Sequence, residues 1–273
     1  MVLMHESTLE FIDSHRSADD LTLARDLVRY AGSLALEMRA AGVSTDFKTS
    51  ISDVVTDADH AAEDFVANAL AELRPTDGIV GEEGSAVASR SGRVWVVDPV
   101  DGTYNFASGS DYFCSALALI EGDTSNPDEL ILSAVNRPAF DTTWLGTPKG
   151  STKNGIALPP LHEAGLAQVS LASYLHPRSM KDDGIREAWL RAANGAATIR
   201  MFGAGSIDLA TVASGGVGGW IQHSVADWDW LPGKILIEGV GGVGEKVDAG
   251  GTTWSVAGNK QVVAEITAAL QSG

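Results

Sequence analysis

Cysteine occurs once in the chain, at Cys114, so no disulfide can close within it, and the apolar run around it, residues 112–117, predicts a packed core thiol. Basic residues are scarce: 19 Lys and Arg against 36 Asp and Glu leave a formal charge of -17. That field repels a nucleic-acid backbone, so any anionic ligand has to be captured by cations held locally. Long apolar runs are missing from the start of the chain, where His5, Glu6, Glu10, Asp13 and Arg16 interrupt each candidate stretch. Neither a signal peptide nor a membrane span is expected, and a soluble, cytoplasmic protein is. The six histidines show no HExxH or other paired ligand spacing, which argues against zinc.

What is present suffices for a large core, since 44% of the 273 residues are hydrophobic. Leu21, Leu23, Leu27, Val28, Leu34, Leu36 and Met38 recur at three- and four-residue intervals and predict a helix ending near Gly42. A second helix is predicted over 57–73. Short runs rich in Val, Ile and Trp at 94–97, 112–120, 130–135 and 142–145 read as strands. A strand at 169–173 and helices near 183–193, 206–213, 230–239 and 259–270 follow. The alternation implies a layered α/β (α+β) architecture. One domain is expected over 1–273, with residues 153–160 as the one plausible seam between halves 1–155 and 156–273.

The densest chemical signal is Trp95-Val96-Val97-Asp98-Pro99-Val100-Asp101-Gly102-Thr103-Tyr104-Asn105-Phe106, an apolar strand delivering two carboxylates at its end. Hard divalent cations take oxygen ligands, and two aspartates three apart with a carbonyl between them can turn toward one or two ions. Gly102 permits a tight turn there. If a short helix follows it, the N–H groups of Gly102 and Thr103 are free to meet a phosphate. Taken singly, the other acidic segments have bland readings: Asp57 and Asp59 as a helix first turn, Gly81-Glu82-Glu83-Gly84 as a strand-ending turn, and Asp229, between Trp228 and Trp230, as an N-terminal helix charge.

Together and in this order, the segments 53–59, 81–83 and 98–103, and Trp228-Asp229 followed by Gly233, resemble the inositol monophosphatase family over nearly the whole chain. The resemblance implies the layered αβαβα sandwich shared with fructose bisphosphatase. It implies a lithium-sensitive phosphomonoesterase using two or three Mg2+ ions, commonly as a homodimer. Carried over residue by residue, it makes Glu82, Asp98, Asp101, Asp229 and the carbonyl of Val100 the metal ligands. Asp59 and Thr103, with Glu82, orient and deprotonate the attacking water. Gly102 and Thr103 hold the phosphate, Gly203, Ala204 and Gln222 face the substrate, and Lys48 and Asp53 lie near a mobile loop. An acidic protein binds a phosphate in this way because its carboxylates bind cations and the cations bind the anion.

Rival readings are weaker. A phosphoaspartate mechanism uses Asp-x-Asp, whereas two residues separate Asp98 from Asp101. Residues 239–244 match a dinucleotide-binding glycine pattern but follow a predicted helix instead of opening one. A non-catalytic binding or regulatory protein with the same fold is the alternative of a different class, and the intact ligand set speaks against it. The substrate stays open: inositol 1-phosphate ranks first, histidinol phosphate second and fructose 1,6-bisphosphate third. Several positions depart from the inositol-hydrolysing pattern: Leu231-Pro232 after Asp229, placed in a helical first turn; Ala204, where a hydroxyl residue is common; and Gln222, where a glutamate is.

Overall fold

The computed structural model describes residues 2–42, 45–47 and 54–272; Lys48 and Asp53 lie outside them. Helices α1 (Val2–His15) and α2 (Asp20–Ala41) lead through a small hairpin, β1 (Thr45–Phe47) and β2 (Val54–Thr56), into α3 (Asp57–Leu73). Local chemistry sets these boundaries. The Asp19 side chain accepts from the Thr22 N–H at 2.7 Å to start α2, and Gly42, at φ 95°, follows its last turn. Helix α3 opens on a capping box in which Thr56 accepts from the Ala58 N–H and Asp59 reaches back to the Thr56 N–H at 2.9 Å.

The central strands are β3 (Gly78–Gly81), β4 (Ala86–Val87), β5 (Arg93–Asp101), β6 (Cys114–Asp123), β7 (Asn126–Arg137), β8 (Thr142–Thr147), β9 (Gly150–Lys153) and β10 (Ile156–Ala157), with the short helix α4 (Thr103–Ala107) after β5. They form one sheet in the order β10-β9-β8-β7-β6-β5-β3-β4, antiparallel except where β3 runs parallel to β5. Beyond it come β11 (Ser170–Ser173), α5 (Asp183–Ala193), β12 (Thr198–Arg200), α6 (Gly205–Ala213), β13 (Gly219–His223), α7 (Asp227–Glu238), β14 (Val243–Ala249), β15 (Thr252–Gly258) and α8 (Lys260–Gln271). Their strands make a second sheet in the order β12-β11-β13-β15-β14.

The burial pattern stacks these elements in five layers. Trp95, Val97, Leu117 and Leu119 of the first sheet pack with Leu23, Leu27, Phe65 and Val66 of α2 and α3. The opposite face, with Val96, Ala116, Ala118 and Ile120, packs on Leu209 and Val212 of α6 and Ile235 and Leu236 of α7, which also touch Ala172 and Trp220 of the second sheet. The outer face of that sheet, with Leu171, Val256 and Trp254, is covered by Ala188 and Ala192 of α5 and Val262 and Ile266 of α8. A sheet covered on both faces needs near-continuous apolar strands, which is why residues 114–120 are buried without alternation.

Two features depart from the sequence reading. Helix α1 was not anticipated, because charges interrupt its apolar pattern; it is held by Phe11 and Ile12, packed into the cluster with Phe65. Pro232 is the sixth residue of α7, beyond the first turn, because the helix starts at Asp227. Its missing N–H therefore removes one helical hydrogen bond instead of sitting at a vacant donor position.

Candidate metal centre and its cleft

The pairing of β5 with β6 explains how two carboxylates three residues apart reach one side of a sheet. Asp98 lies opposite Ala116 and Asp101 opposite Cys114, so β5 runs three residues where β6 runs two. Side chains alternate along a strand, and residues three apart would face opposite ways. The extra residue is a β-bulge that reverses the parity after Asp98. Asp98 thus shares the α6/α7 side with Val96, and Asp101 joins it, while Val100 is buried with Ala35, Ala58, Phe106 and Phe113 on the other side. Pro99, which has no N–H to give a ladder, falls within the bulge.

Asp229 comes from the first turn of α7, three residues after the cap Ala226, where the helix dipole favours a carboxylate. Close packing of α7 on α6 brings it in: a Cβ at Gly233 would lie 2.3 Å from the Cβ of Leu209. Carboxylate oxygens of Asp98, Asp101 and Asp229 all lie within 4.8 Å of one another. Glu82 follows β3, donates its N–H to the Val97 carbonyl at 3.2 Å, and lines the same cleft of about 480 Å³ beside Asp101, Thr103 and Asp229. Behind it, the buried Glu63 accepts the N–H groups of Glu83 and Ser85, both at 2.8 Å, and pins the turn that carries Glu82.

Asp101 is fixed by the start of α6: its Oδ1 accepts from the Gly205 N–H at 3.1 Å and its Oδ2 from the Ser206 N–H at 2.5 Å. Gly102, at φ 88°, turns the chain into α4, and a Cβ there would meet Ala204 at 3.0 Å and the Tyr112 carbonyl at 3.1 Å. Thr103, next in line, has its hydroxyl 3.0 Å from the Val100 carbonyl and 3.2 Å from Asp59 Oδ1, and can donate to either. The other oxygen of Asp59 takes the Thr56 hydroxyl at 2.5 Å. One residue therefore closes the cap of α3 and faces the site.

Electrostatics in the cleft are adverse to carboxylates alone. Burial, then the charges of Glu82, Asp101 and Asp229, push Asp98 well above the usual carboxylate range. Burial also raises Asp101 and Asp59, against the hydrogen bonds each accepts. Asp98 Oδ1 accepts from the Val100 N–H at 3.1 Å, but its Oδ2 is buried with no donor. No Lys, Arg or His among the described residues lines the cleft. An all-oxygen donor set converging on one cleft fits a hard divalent metal ion.

Gly102, Thr103, Gly203, Ala204 and Gln222 all line the cleft, as does Glu82. Ala204, however, is 1% exposed and belongs to the core, so its missing hydroxyl matters less than the sequence suggested. Sequence reasoning did not find Glu63, Asn105 or the pair Asp208 and Tyr112. Asn105 Nδ2 lies 3.0 Å from the Tyr112 carbonyl and 2.8 Å from the Phe202 carbonyl, tying α4 to the loop before α6. The Tyr112 hydroxyl donates to Asp208 at 2.6 Å, and burial leads in raising Asp208 to about 8. Their partners are distant in sequence, so no local signal marks them.

Fold and site together define a five-layered α/β protein with an acidic, cation-accepting cleft between its two sheets. The sequence profile of the inositol monophosphatase family matches residues 18–272, and the chain belongs to that family of metal-dependent phosphoric monoester hydrolases. It is 27% identical over 225 residues to the inositol-1-monophosphatase of Bacillus subtilis, covering 81% of this chain and 82% of that one. It is 30% identical over 238 residues to the histidinol-phosphatase of Mycobacterium tuberculosis, covering 83% and 86%. Among solved structures, the extragenic suppressor protein suhB of Bartonella henselae superimposes with a TM-score of 0.80 at 23% identity, covering 91% of this chain and 96% of that one, a likeness of fold. No helix among the described residues is long and apolar enough to cross a membrane.

Proposed function

We propose that this chain is a magnesium-dependent phosphomonoesterase that hydrolyses a small-metabolite phosphate, inositol 1-phosphate first, by direct attack of water. The observation that carries this reading is the convergence of Asp98, Asp101 and Asp229 within 4.8 Å, with Glu82 lining the same cleft. In this reading Glu82, Asp98, Asp101, Asp229 and the Val100 carbonyl hold two or three Mg2+ ions. Magnesium, when bound there, supplies Lewis-acid stabilisation of the phosphate and of the departing alcohol oxygen and makes water more acidic.

The chain's own groups supply the rest. Thr103 Oγ1 donates to Asp59 Oδ1 and turns its lone pairs to the attacking water, and the raised affinity of Asp59 for protons suits it to draw the proton away along that hydroxyl. Gly102 and Thr103 offer N–H groups to the phosphate at the mouth of α4. Burial around Asp98 and Asp101 keeps competing water from those oxygens.

The second reading, a histidinol-phosphate phosphatase, is favoured by the relative of that name in M. tuberculosis; fructose 1,6-bisphosphate ranks behind it. Homodimer formation and lithium sensitivity are further expectations from the family resemblance, and a cytoplasmic location is a further part of this reading. The test is phosphate release by purified protein from inositol 1-phosphate and histidinol phosphate, with magnesium and with chelator. Turnover that needs magnesium is expected. Equal release in chelator, or none from any ester at saturating magnesium, would overturn the reading.

A further inference from the structure

The outer half of the cleft has a composition that its inner half does not explain. Tyr104, Tyr174, Met201 and Phe202 line it and are 59%, 38%, 47% and 37% exposed. Four large apolar side chains thus share one opening, and a gathering of this kind beside a polar centre marks a place where an apolar body docks. Fixed polar groups that could read a ring of hydroxyls are few: the Asn105 amide nitrogen is committed to carbonyls, and Asp208 is buried and bonded to Tyr112. Gln222 is the main remaining side-chain amide.

We propose that Tyr104, Tyr174, Met201 and Phe202 form a subsite for a flat, uncharged aromatic or heteroaromatic ring on the alcohol of the phosphate ester. The proposal rests on the phosphomonoesterase reading above but departs from its ranking of substrates, setting an aromatic alcohol ahead of inositol.

Three observations fix the subsite against the metal centre. The loop bearing Phe202 is tied to α4 through Asn105, and three residues later the Gly205 N–H binds Asp101, so the rim and the carboxylates belong to one bonded unit. The Phe202 ring lies 5.0 Å from that of Tyr112, itself held by Asp208, which orients it. Tyr104 and Tyr174 line the same opening beside Phe202. A flat ring entering there has the aromatic side chains of Tyr104, Tyr174 and Phe202 to pack against and brings no hydroxyl to leave unpaired. An ester bearing a second phosphate finds no Lys, Arg or His side chain among the described residues of the cleft.

The experiment compares kcat/KM at saturating magnesium for 2-phenylethyl phosphate, 2-cyclohexylethyl phosphate, glycerol 2-phosphate and inositol 1-phosphate. These are unactivated alkyl esters, so leaving-group acidity contributes little to the ranking. The phenylethyl ester is expected to exceed glycerol 2-phosphate by about tenfold or more and the cyclohexyl ester by about threefold. In Phe202→Ala and Tyr174→Ala the first ratio should fall at least about fivefold. Phe202→Leu, which keeps bulk but not the ring face, should lower the phenylethyl-to-cyclohexyl ratio and serves if the alanine variants fold poorly. Hydrolysis of all four esters with inositol 1-phosphate preferred, or ratios unmoved by the substitutions, would overturn the subsite and leave the phosphatase reading standing. Failure to hydrolyse any ester would overturn both.

Discussion

At the floor of the cleft, acidic oxygens are held by main-chain donors: Asp101 by the N–H groups of Gly205 and Ser206, Asp98 by that of Val100, Asp59 by that of Thr56. At the rim, Tyr104, Tyr174, Met201 and Phe202 stand partly in solvent. The floor is therefore bound to strand register and helix ends and cannot change without moving the fold. The rim hangs from it by side chains that can be exchanged. Reaction and choice of alcohol are separable in such a design, and substitutions in the two regions should read out differently.

The largest effect is expected from Asp101→Asn, which removes a charge from the cluster while keeping shape. We expect kcat/KM to fall at least about a hundredfold at saturating magnesium, with an unchanged circular dichroism spectrum. Asp98→Asn and Asp229→Asn should behave alike. Near-normal turnover in Asp101→Asn would sink the division between floor and rim.

Next is Glu63→Gln, one step behind the floor. Losing a charged acceptor for the N–H groups of Glu83 and Ser85 loosens the turn bearing Glu82. The magnesium concentration at half-maximal rate should rise roughly tenfold, with a smaller drop in kcat once magnesium saturates. A fall in kcat with no change in magnesium dependence would show that the turn does not work through the metal.

Asp208 tests the wall between the two regions through pH. Burial raises its carboxyl to about 8, so the folded protein keeps a proton that the unfolded chain has already lost. Stability from this group is present below the ordinary aspartate range, falls as pH rises toward about 8, and is level above it. In chelator, Asp208→Asn should flatten the decline of Tm between pH 5 and 8 by at least about 2 °C. A parallel Tm profile in wild type and variant would mean that Asp208 is ionised throughout.

The smallest effect belongs to Gln222→Glu at the rim. Relative efficiency among the esters should shift by less than about tenfold, with turnover of a generic aryl phosphate changing less still. A collapse of all activity would place Gln222 with the floor.

Much of this was legible in the chain, and the limits have physical causes. Helices over 57–73 and 183–193 coincide with the observed α3 and α5, because apolar periodicity and side-chain caps are local signals. The carboxylates of 98 and 101 announced themselves because a buried strand ending in two acids is otherwise costly. Strands β13 to β15 were not anticipated: glycines flank or interrupt them, and the sheet is closed by the pairing of β13 with β15 across α7, on which the hairpin of β14 and β15 builds.

By itself, the sequence determined the layered class, the apolar strands, the identities of the acidic ligand candidates and the acidic excess that makes an anionic substrate depend on locally held cations. Only the tertiary structure decided that a bulge after Asp98 reverses the strand parity, so that Asp98 and Asp101 face one way. It also decided that Asp101 caps α6, that Glu63 reaches the turn of Glu82, and that Tyr104, Tyr174, Met201 and Phe202 share one opening. Periodicity and capping act over a few residues and are written in order along the chain. Register, helix crossing and the meeting of distant loops depend on which surfaces find each other on folding, and no single segment carries that information.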